Sequence, residues 1–148
     1  MKKFIATATA AIAVTLGAPA AQALPLPFVA QENLTSAEGA IADQINQIRV
    51  QHGLAPLAWS QYMADISRSW SATCASRATL SHDPMALQLA DMENVAVMHN
   101  SPYDAVPGWM NSPAHRDNIL NPYAKTIGVG IVKNHATGGY YVTMRGTY

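Results

Sequence analysis

Two stretches of the chain carry apolar residues at helical spacing. In the first stretch these residues are Ala37, Ile41, Ile45 and Ile48. Thr35 and Glu38 form a capping box, which predicts that the helix begins there, and Gly53 predicts its end. In the second stretch the apolar residues are Met63, Ile66, Trp70 and Cys74. Ser60 predicts the N-cap of this helix, and the pattern extends to Arg77.

The middle of the chain is divided into short segments by turn residues. Residues 81–84 have the composition of a turn, and residues 85–92 are compatible with a short helix. Residues 101–104 begin with serine and proline and predict the start of another helix. A second serine–proline pair at residues 112–113 predicts a further N-cap, with His115 in the first helical turn.

The end of the chain has the pattern of a β-hairpin. Residues 126–133 and 140–146 are rich in β-branched and aromatic residues and are separated by a loop that ends in two glycines. Within the first strand, Gly128 and Gly130 predict the close approach of a neighbouring element. Helices followed by a hairpin predict an α+β domain, with helices packed on a small antiparallel sheet.

The first 23 residues have the features of a secretory signal peptide. Lys2 and Lys3 precede an apolar segment, residues 4–16, and residues 21–23 form an Ala-x-Ala cleavage site. A membrane anchor is the alternative, but the apolar run is shorter than the ~20 residues that a span needs. We therefore expect a secreted protein with no stable membrane span after cleavage. Residues 24–35 would form an extended leader, and residues 36–148 the domain.

Charge and cysteine content narrow the partners of the mature chain. Without Lys2 and Lys3, seven basic residues remain against nine acidic ones. The mature chain therefore has no basic patch that would indicate binding to nucleic acid. The single Cys74 cannot close an intramolecular disulfide, and we expect it to be a buried small apolar residue. We also expect Trp59 and Trp70 to lie in the core. The protein is expected to be a monomer.

Two histidines and one glutamate are the candidates for chemistry. His82 and His115 each lie in a proline-marked bend, and Glu93 follows His82 by eleven residues. Two imidazoles and a carboxylate could bind zinc or another divalent cation or carry out acid–base chemistry. They could equally form a satisfied structural network. The sequence contains no H-E-x-x-H, G-x-S-x-G, P-loop or C-x-x-C motif to decide among these.

Three segments together resemble the CAP superfamily of cysteine-rich secretory, antigen 5 and pathogenesis-related proteins, also called SCP-like. They are Glu93-Asn94-Val95, residues 109–120 (WMNSPAHRDNIL) and residues 127–130 (IGVG). The likeness is to the secreted bacterial branch and extends over residues 36–148. It implies an α-β-α sandwich, with a small antiparallel sheet between helical layers, and a central cleft.

The resemblance also implies positions for the cleft residues. His82 and His115 correspond to the two family histidines, and Glu93 corresponds to the first family acid. Ser112 stands where eukaryotic members have a second acid, so three of the four positions are retained. The three retained residues are the tentative metal ligands. The residues expected to support the cleft are Asn94, Trp109 and Asn118.

Three functions follow from this resemblance. The first is a non-enzymatic module that binds a lipid, a sterol or a cell-surface ligand in an apolar groove. Four methionines are compatible with such a groove, although they fit the core better: Met85, Met92, Met98 and Met110. The second is a zinc-dependent hydrolase or protease at the cell surface, and the third is a purely structural polar cluster. A Ser112–His115 nucleophile pair is a further option, but Ser112 suits an N-cap better. We expect binding rather than catalysis.

Overall fold

The computed structural model describes residues 36–148 of the protein. The expected signal peptide, the expected leader and the cap residue Thr35 lie outside the described residues. The helices are α1 (Ser36–Gln51), α2 (Gln61–Arg77), α3 (Ala86–Leu89), α4 (Ala105–Met110) and α5 (Pro113–Ile119), with a 3-10 turn at Pro102–Asp104. The strands are β1 (Ala58–Trp59), β2 (Met92–Met98), β3 (Thr126–Lys133) and β4 (Tyr140–Thr147).

The strands form one four-stranded sheet in the order β1-β3-β4-β2. Strands β3 and β4 form the predicted antiparallel hairpin, β2 pairs antiparallel with β4, and the short β1 pairs parallel with β3. Strand β2 was not predicted from the sequence, and the expected helix at residues 85–92 is shorter than predicted because Met92 begins this strand. Its first five residues are all buried, so the alternating pattern of a half-exposed strand is missing.

The helices cover both faces of the sheet. Helix α2 lies on one face, beside the buried Tyr141 and Thr143 of β4. Helices α1, α4 and α5 lie on the other face, where their apolar side chains pack against Val142 and Met144. Because successive side chains of a strand point to opposite faces, β4 contributes to both layers. The expected α-β-α sandwich is confirmed.

Two glycines bring α2 close to the sheet. A Cβ atom on Gly128 would lie 2.1 Å from the backbone nitrogen of Ala64, and one on Gly130 would lie 2.0 Å from that of Arg68. Ser71 strengthens this contact by donating a 2.9 Å hydrogen bond to the Gly130 carbonyl. The close approach predicted from the two glycines is therefore present.

The helix ends agree with the local signals, with one addition. Gly53 has a φ of 73° after the end of α1, and the Ser60 hydroxyl accepts a 3.3 Å hydrogen bond from the Met63 backbone at the start of α2. Glu38, the expected capping-box acid, is buried. Its carboxylate accepts hydrogen bonds from Arg68 Nε at 2.9 Å and from the Ile131 backbone at 3.1 Å. This side chain therefore joins α1 to α2 and β3.

The tryptophans differ from expectation in their burial. Trp59 and Trp70 are half-buried at the surface of the fold, whereas Trp109 is fully buried in the core. Helical spacing gave the correct face for Trp70, but its indole donates a 2.9 Å hydrogen bond to the Ser81 carbonyl and stays near the surface. Cys74 is buried, as expected. Within residues 36–148, no helix is long and apolar enough to cross a membrane.

Candidate functional site

The three candidate residues come together from three elements. His82 lies in the loop between α2 and α3, Glu93 lies on β2, and His115 lies in the first turn of α5. His82 Nδ1 and Glu93 Oε1 are 2.8 Å apart, and the ring centroids of His82 and His115 are separated by 6.1 Å. The His82 side chain is 60% exposed, whereas His115 is half-buried. The two imidazoles therefore form a pair with one side open to solvent.

Glu93 has further partners that the sequence analysis did not identify. Its Oε2 accepts hydrogen bonds from Arg145 Nε at 2.9 Å and from Arg145 Nη2 at 2.5 Å. Arg145 Nη2 also lies 2.7 Å from Asp83 Oδ2. The Asp83 backbone donates a 3.1 Å hydrogen bond to Glu93 Oε1. Each oxygen of Glu93 thus has two donors or imidazole partners, all supplied by the protein itself.

This arrangement bears on the expected divalent metal. A catalytic zinc ion usually has three protein ligands and one open position. Both oxygens of Glu93 already accept hydrogen bonds from Arg145, His82 and Asp83. The cleft therefore has only two imidazoles available as metal ligands. Within the described residues, no group of three histidine, cysteine or acidic side chains is placed to hold a metal ion. The donor set of this cleft therefore does not fit a resident zinc ion.

The supporting residues attach α4 and α5 to β2. The Asn94 side chain donates a 2.9 Å hydrogen bond to the His115 carbonyl. The Asn118 side chain donates to Asn94 Oδ1 at 2.8 Å and to the Glu93 carbonyl at 3.2 Å. Trp109 donates its indole N–H to the Val95 carbonyl at 3.1 Å. The bonds to the Glu93 and Val95 carbonyls satisfy outward-facing acceptors of the edge strand, and the bond from Asn94 fixes the backbone of His115.

The environment of His115 favours its neutral form. Burial lowers the pKa of His115 below its ordinary value of 6.5, and the positive charge of a protonated His82 lowers it further. Desolvation acts in this direction because it disfavours the charged imidazolium. The site therefore holds one imidazole in contact with a carboxylate and a second imidazole whose pKa is lowered by burial.

A family model described as "CAP: Cysteine-rich secretory protein family" matches residues 42–145. The match includes β2, α5 and the hairpin that together position the two histidines. The chain belongs to the CAP family.

Bacterial relatives of this CAP domain are longer proteins. The Bacillus subtilis "Uncharacterized membrane protein YlbC" is 32% identical over an alignment that covers 72% of this chain and 34% of the relative. The Bacillus subtilis "Uncharacterized protein YkwD" is 30% identical, with coverages of 71% and 46%. A solved extracellular protein containing an SCP domain, from Bacillus anthracis, has a TM-score of 0.64 and 29% identity. That match covers 78% of this chain and 45% of the solved one. The CAP domain therefore spans less than half of the length of these relatives.

Ser112 occupies the N-cap position of α5 in this CAP domain. Its backbone is extended, with φ −108° and ψ 117°, and its carbonyl accepts a 2.8 Å hydrogen bond from the Arg116 backbone. Its side chain, however, forms no capping hydrogen bond. The expected position is correct, but the expected side-chain cap is absent.

The four methionines do not line one groove. Met92 is fully buried, Met98 and Met110 pack against the core, and Met85 is exposed. The expectation that they belong to the core thus holds for three of them. Met85 lies instead in the loop between α2 and α3, together with the exposed Leu80, and the exposed Leu87 lies on α3. This loop also carries His82, so exposed apolar residues flank the histidine in sequence.

Proposed function

We propose that this CAP-domain protein is a secreted, non-enzymatic binding module whose ligand contacts the His82–His115 pair. The observation that carries the proposal is the complete engagement of Glu93 by Arg145, His82 and Asp83. Secretion is supported by the signal-peptide pattern of residues 1–23. The related Bacillus anthracis domain also belongs to a protein described as extracellular.

Hydrolysis is the weaker function for this geometry. A zinc hydrolase needs a metal with an open position and a base that activates the bound water. Glu93 is held by a buried guanidinium, so it is not free to act as a base or as a ligand. Nδ1 of the exposed His82 ring faces Glu93, so Nε2 is the nitrogen available to a ligand. An imidazole nitrogen held in this way is suited to bind a polar group of a ligand.

The ligand class that we propose is an amphiphile such as a fatty acid or a sterol. Leu80 and Met85 lie in the loop that carries His82, and Leu87, on the following helix α3, is 86% exposed. Exposed large apolar residues that cluster beside polar groups are typical of interaction sites. In this arrangement the polar end of the ligand would contact the imidazoles, and its apolar part would cover the loop.

Tryptophan fluorescence can test this proposal directly. Trp70 donates its indole N–H to the Ser81 carbonyl, so its emission reports on the loop that precedes His82. We expect a saturable change on titration with palmitate or cholesterol. The change should be lost in the His82→Ala/His115→Ala double variant and retained in His135→Ala, which alters an exposed histidine of the distant β3–β4 loop. No saturable change with either ligand would refute the proposed ligand class.

Metal analysis separates this function from a zinc hydrolase. We expect protein purified without chelators to contain far less than one zinc ion per chain. Stoichiometric zinc that is lost in His115→Ala would favour the hydrolase instead. Because metal content is measured independently of lipid binding, the two experiments give separate answers about the same cleft.

A further inference from the structure

The side chain of Arg145 occupies the point at which two carboxylates converge. Its Nη2 lies 2.7 Å from Asp83 Oδ2 and 2.5 Å from Glu93 Oε2, and its Nη1 lies 3.3 Å from the Ile66 carbonyl. The arginine side chain is 1% exposed, and those of Asp83 and Glu93 are 11% and 4% exposed. A nearly dry position within hydrogen-bonding distance of three oxygens is suited to a cation.

The charges of this cluster require a positive partner. Asp83 and Glu93 supply two negative charges on different elements, and the guanidinium supplies one positive charge. Without it, two shielded carboxylates would face each other, an arrangement that raises the energy of the ionised forms. The attraction between the arginine and the acids therefore compensates for a desolvation cost that neither carboxylate could meet alone.

A second buried arginine in the same fold has a different role. Arg49 is as deeply buried as Arg145, but its partners are the backbone carbonyls of Ala55, Ile119 and Asn121. Arg49 thus connects loops through neutral acceptors, whereas Arg145 connects acids. The difference lies in the charge of the partners and not in the depth of burial.

We propose that the guanidinium of Arg145 is a tethered cation that holds the position between Asp83, Glu93 and the Ile66 carbonyl, which a free cation could occupy in its absence. It offsets one of the two negative charges and forms ion pairs with both Glu93 and Asp83, which connects the His82 loop to the sheet. Glu93 then holds Nδ1 of His82, so Arg145 acts as a positioning residue for this histidine. The role assigned to His82 rests on the proposed ligand-binding function, whereas the cation position rests on the contacts of Arg145 alone.

Chemical rescue of Arg145→Ala tests the cation position. Breaking this buried ion pair should lower the melting temperature by about 10 °C. Methylguanidinium or Mn²⁺ should restore part of this loss saturably, because each can occupy the vacated position and binds only the folded state. Tetramethylammonium at equal ionic strength should have no such effect, since it is too bulky and donates no hydrogen bonds.

Arg49→Ala is the matched control. It removes an equally buried arginine but leaves neutral carbonyls and no pair of carboxylates, so we expect a loss of stability that Mn²⁺ does not restore. If Arg145→Ala responds no better to methylguanidinium and Mn²⁺ than to tetramethylammonium, the inference is wrong. Saturable Mn²⁺ or Zn²⁺ binding by the unaltered protein that Glu93→Gln abolishes would also overturn it.

Two less severe variants keep the test decisive if Arg145→Ala does not fold. Arg145→Lys retains a positive charge near the carboxylates, whereas Arg145→Gln retains polarity without charge. We expect Arg145→Lys to retain most of the stability that Arg145→Ala loses, and Arg145→Gln to retain little of it. Equal losses in the two variants would contradict a cation role. A failed lipid titration of the unaltered protein would refute the ligand proposal and leave these stability results unaffected.

Discussion

At the scale of single residues, the chemistry of Glu93 depends on what surrounds its carboxylate. A solvent-exposed glutamate between two histidines could bind a metal or accept a proton. Here the side chain is buried, and it contacts Arg145 on one oxygen and His82 on the other. A buried carboxylate with these partners is a structural anion, which leaves the two imidazoles as the groups available to a ligand.

Glu93→Gln should destabilise the protein strongly. The substitution leaves Arg145 buried with one anionic partner fewer, and we expect the free energy of unfolding to fall by about 3 kcal/mol. Urea denaturation measures the change. Asp65→Asn is the control, because it alters an exposed acid that also contacts an arginine, Arg68. Its effect should be much smaller, and similar effects of the two substitutions would contradict the role of Glu93.

His115 should make stability depend on pH in a defined direction. Its folded-state pKa is lowered below the ordinary 6.5, so the unfolded chain binds this proton more readily than the folded protein. The contribution of His115 is therefore fully present above about pH 6.5 and decreases as the pH falls below that value. Unfolding free energies at pH 7.5 and 5.5 should differ less in His115→Gln than in the unaltered protein. Equal differences would show that His115 is not the cause.

At the scale of elements, the position of α2 on the sheet is set by two residues without side chains. Gly128 and Gly130 of β3 allow the α2 backbone to approach, and the Ser67 and Ser71 hydroxyls then donate hydrogen bonds to their carbonyls. Arg145 faces the same helix and contacts its Ile66 carbonyl. The close fit of α2 thereby helps to enclose the arginine that holds Glu93.

Gly130→Ala should displace α2 and destabilise the fold. The added Cβ would lie 2.0 Å from the Arg68 backbone nitrogen, a contact that only a shift of the helix can relieve. We expect a loss of about 3 kcal/mol in urea denaturation.

Gly108→Ala is the control for Gly130→Ala, because position 108 has room for an added Cβ atom. The nearest atom to its added Cβ would be Met98 Cε at 3.7 Å, and Gly108 lies within α4. Because alanine is favoured over glycine inside a helix, we expect a gain of about 0.5 kcal/mol. Effects of the same sign in the two variants would show that crowding at α2 is not the cause.

At the scale of the whole molecule, the described residues form one sandwich in which the cleft is assembled from the middle of the sequence and from its last strand. His82 and Asp83 come from the loop after α2, whereas Arg145 comes from the last strand, 62 positions away from Asp83. The cleft therefore exists only when the complete sheet has formed, and loss of β4 would remove the cation together with a central strand.

Processing of the N-terminus is the prediction that concerns the whole chain. If residues 1–23 are a signal peptide, protein recovered from the medium of expressing bacteria should begin at Leu24. Intact-mass measurement identifies the first residue. Ala23→Asp removes the small residue that signal peptidase requires and should prevent cleavage at this site. Secreted protein that retains residues 1–23 would contradict the prediction.

Local signals in the sequence were sufficient for much of the fold. The C-terminal end of α1, both ends of α2 and the β3–β4 hairpin follow from spacing, caps and turn residues, which act over a few neighbouring positions. Gly128 and Gly130 also predicted a close neighbour, although not which helix it would be. For the cleft, the resemblance to the CAP family placed His82, Glu93 and His115 together.

Other features depended on contacts between distant residues. Strand β2 could not be recognised from the sequence, because burial on both faces removes the alternating pattern of a strand. Its Glu93 and Asn94 are also polar residues typical of loops, and only their buried partners explain their place in a strand. Ser112 could be placed at a helix start, but its side chain forms no cap. The family resemblance carried by the sequence indicated that His82, Glu93 and His115 meet in the cleft, but it did not identify Asp83 or Arg145. Tertiary structure decided that Arg145 neutralises Glu93 there, because an ion pair forms by proximity in space and leaves no periodic signal along the chain.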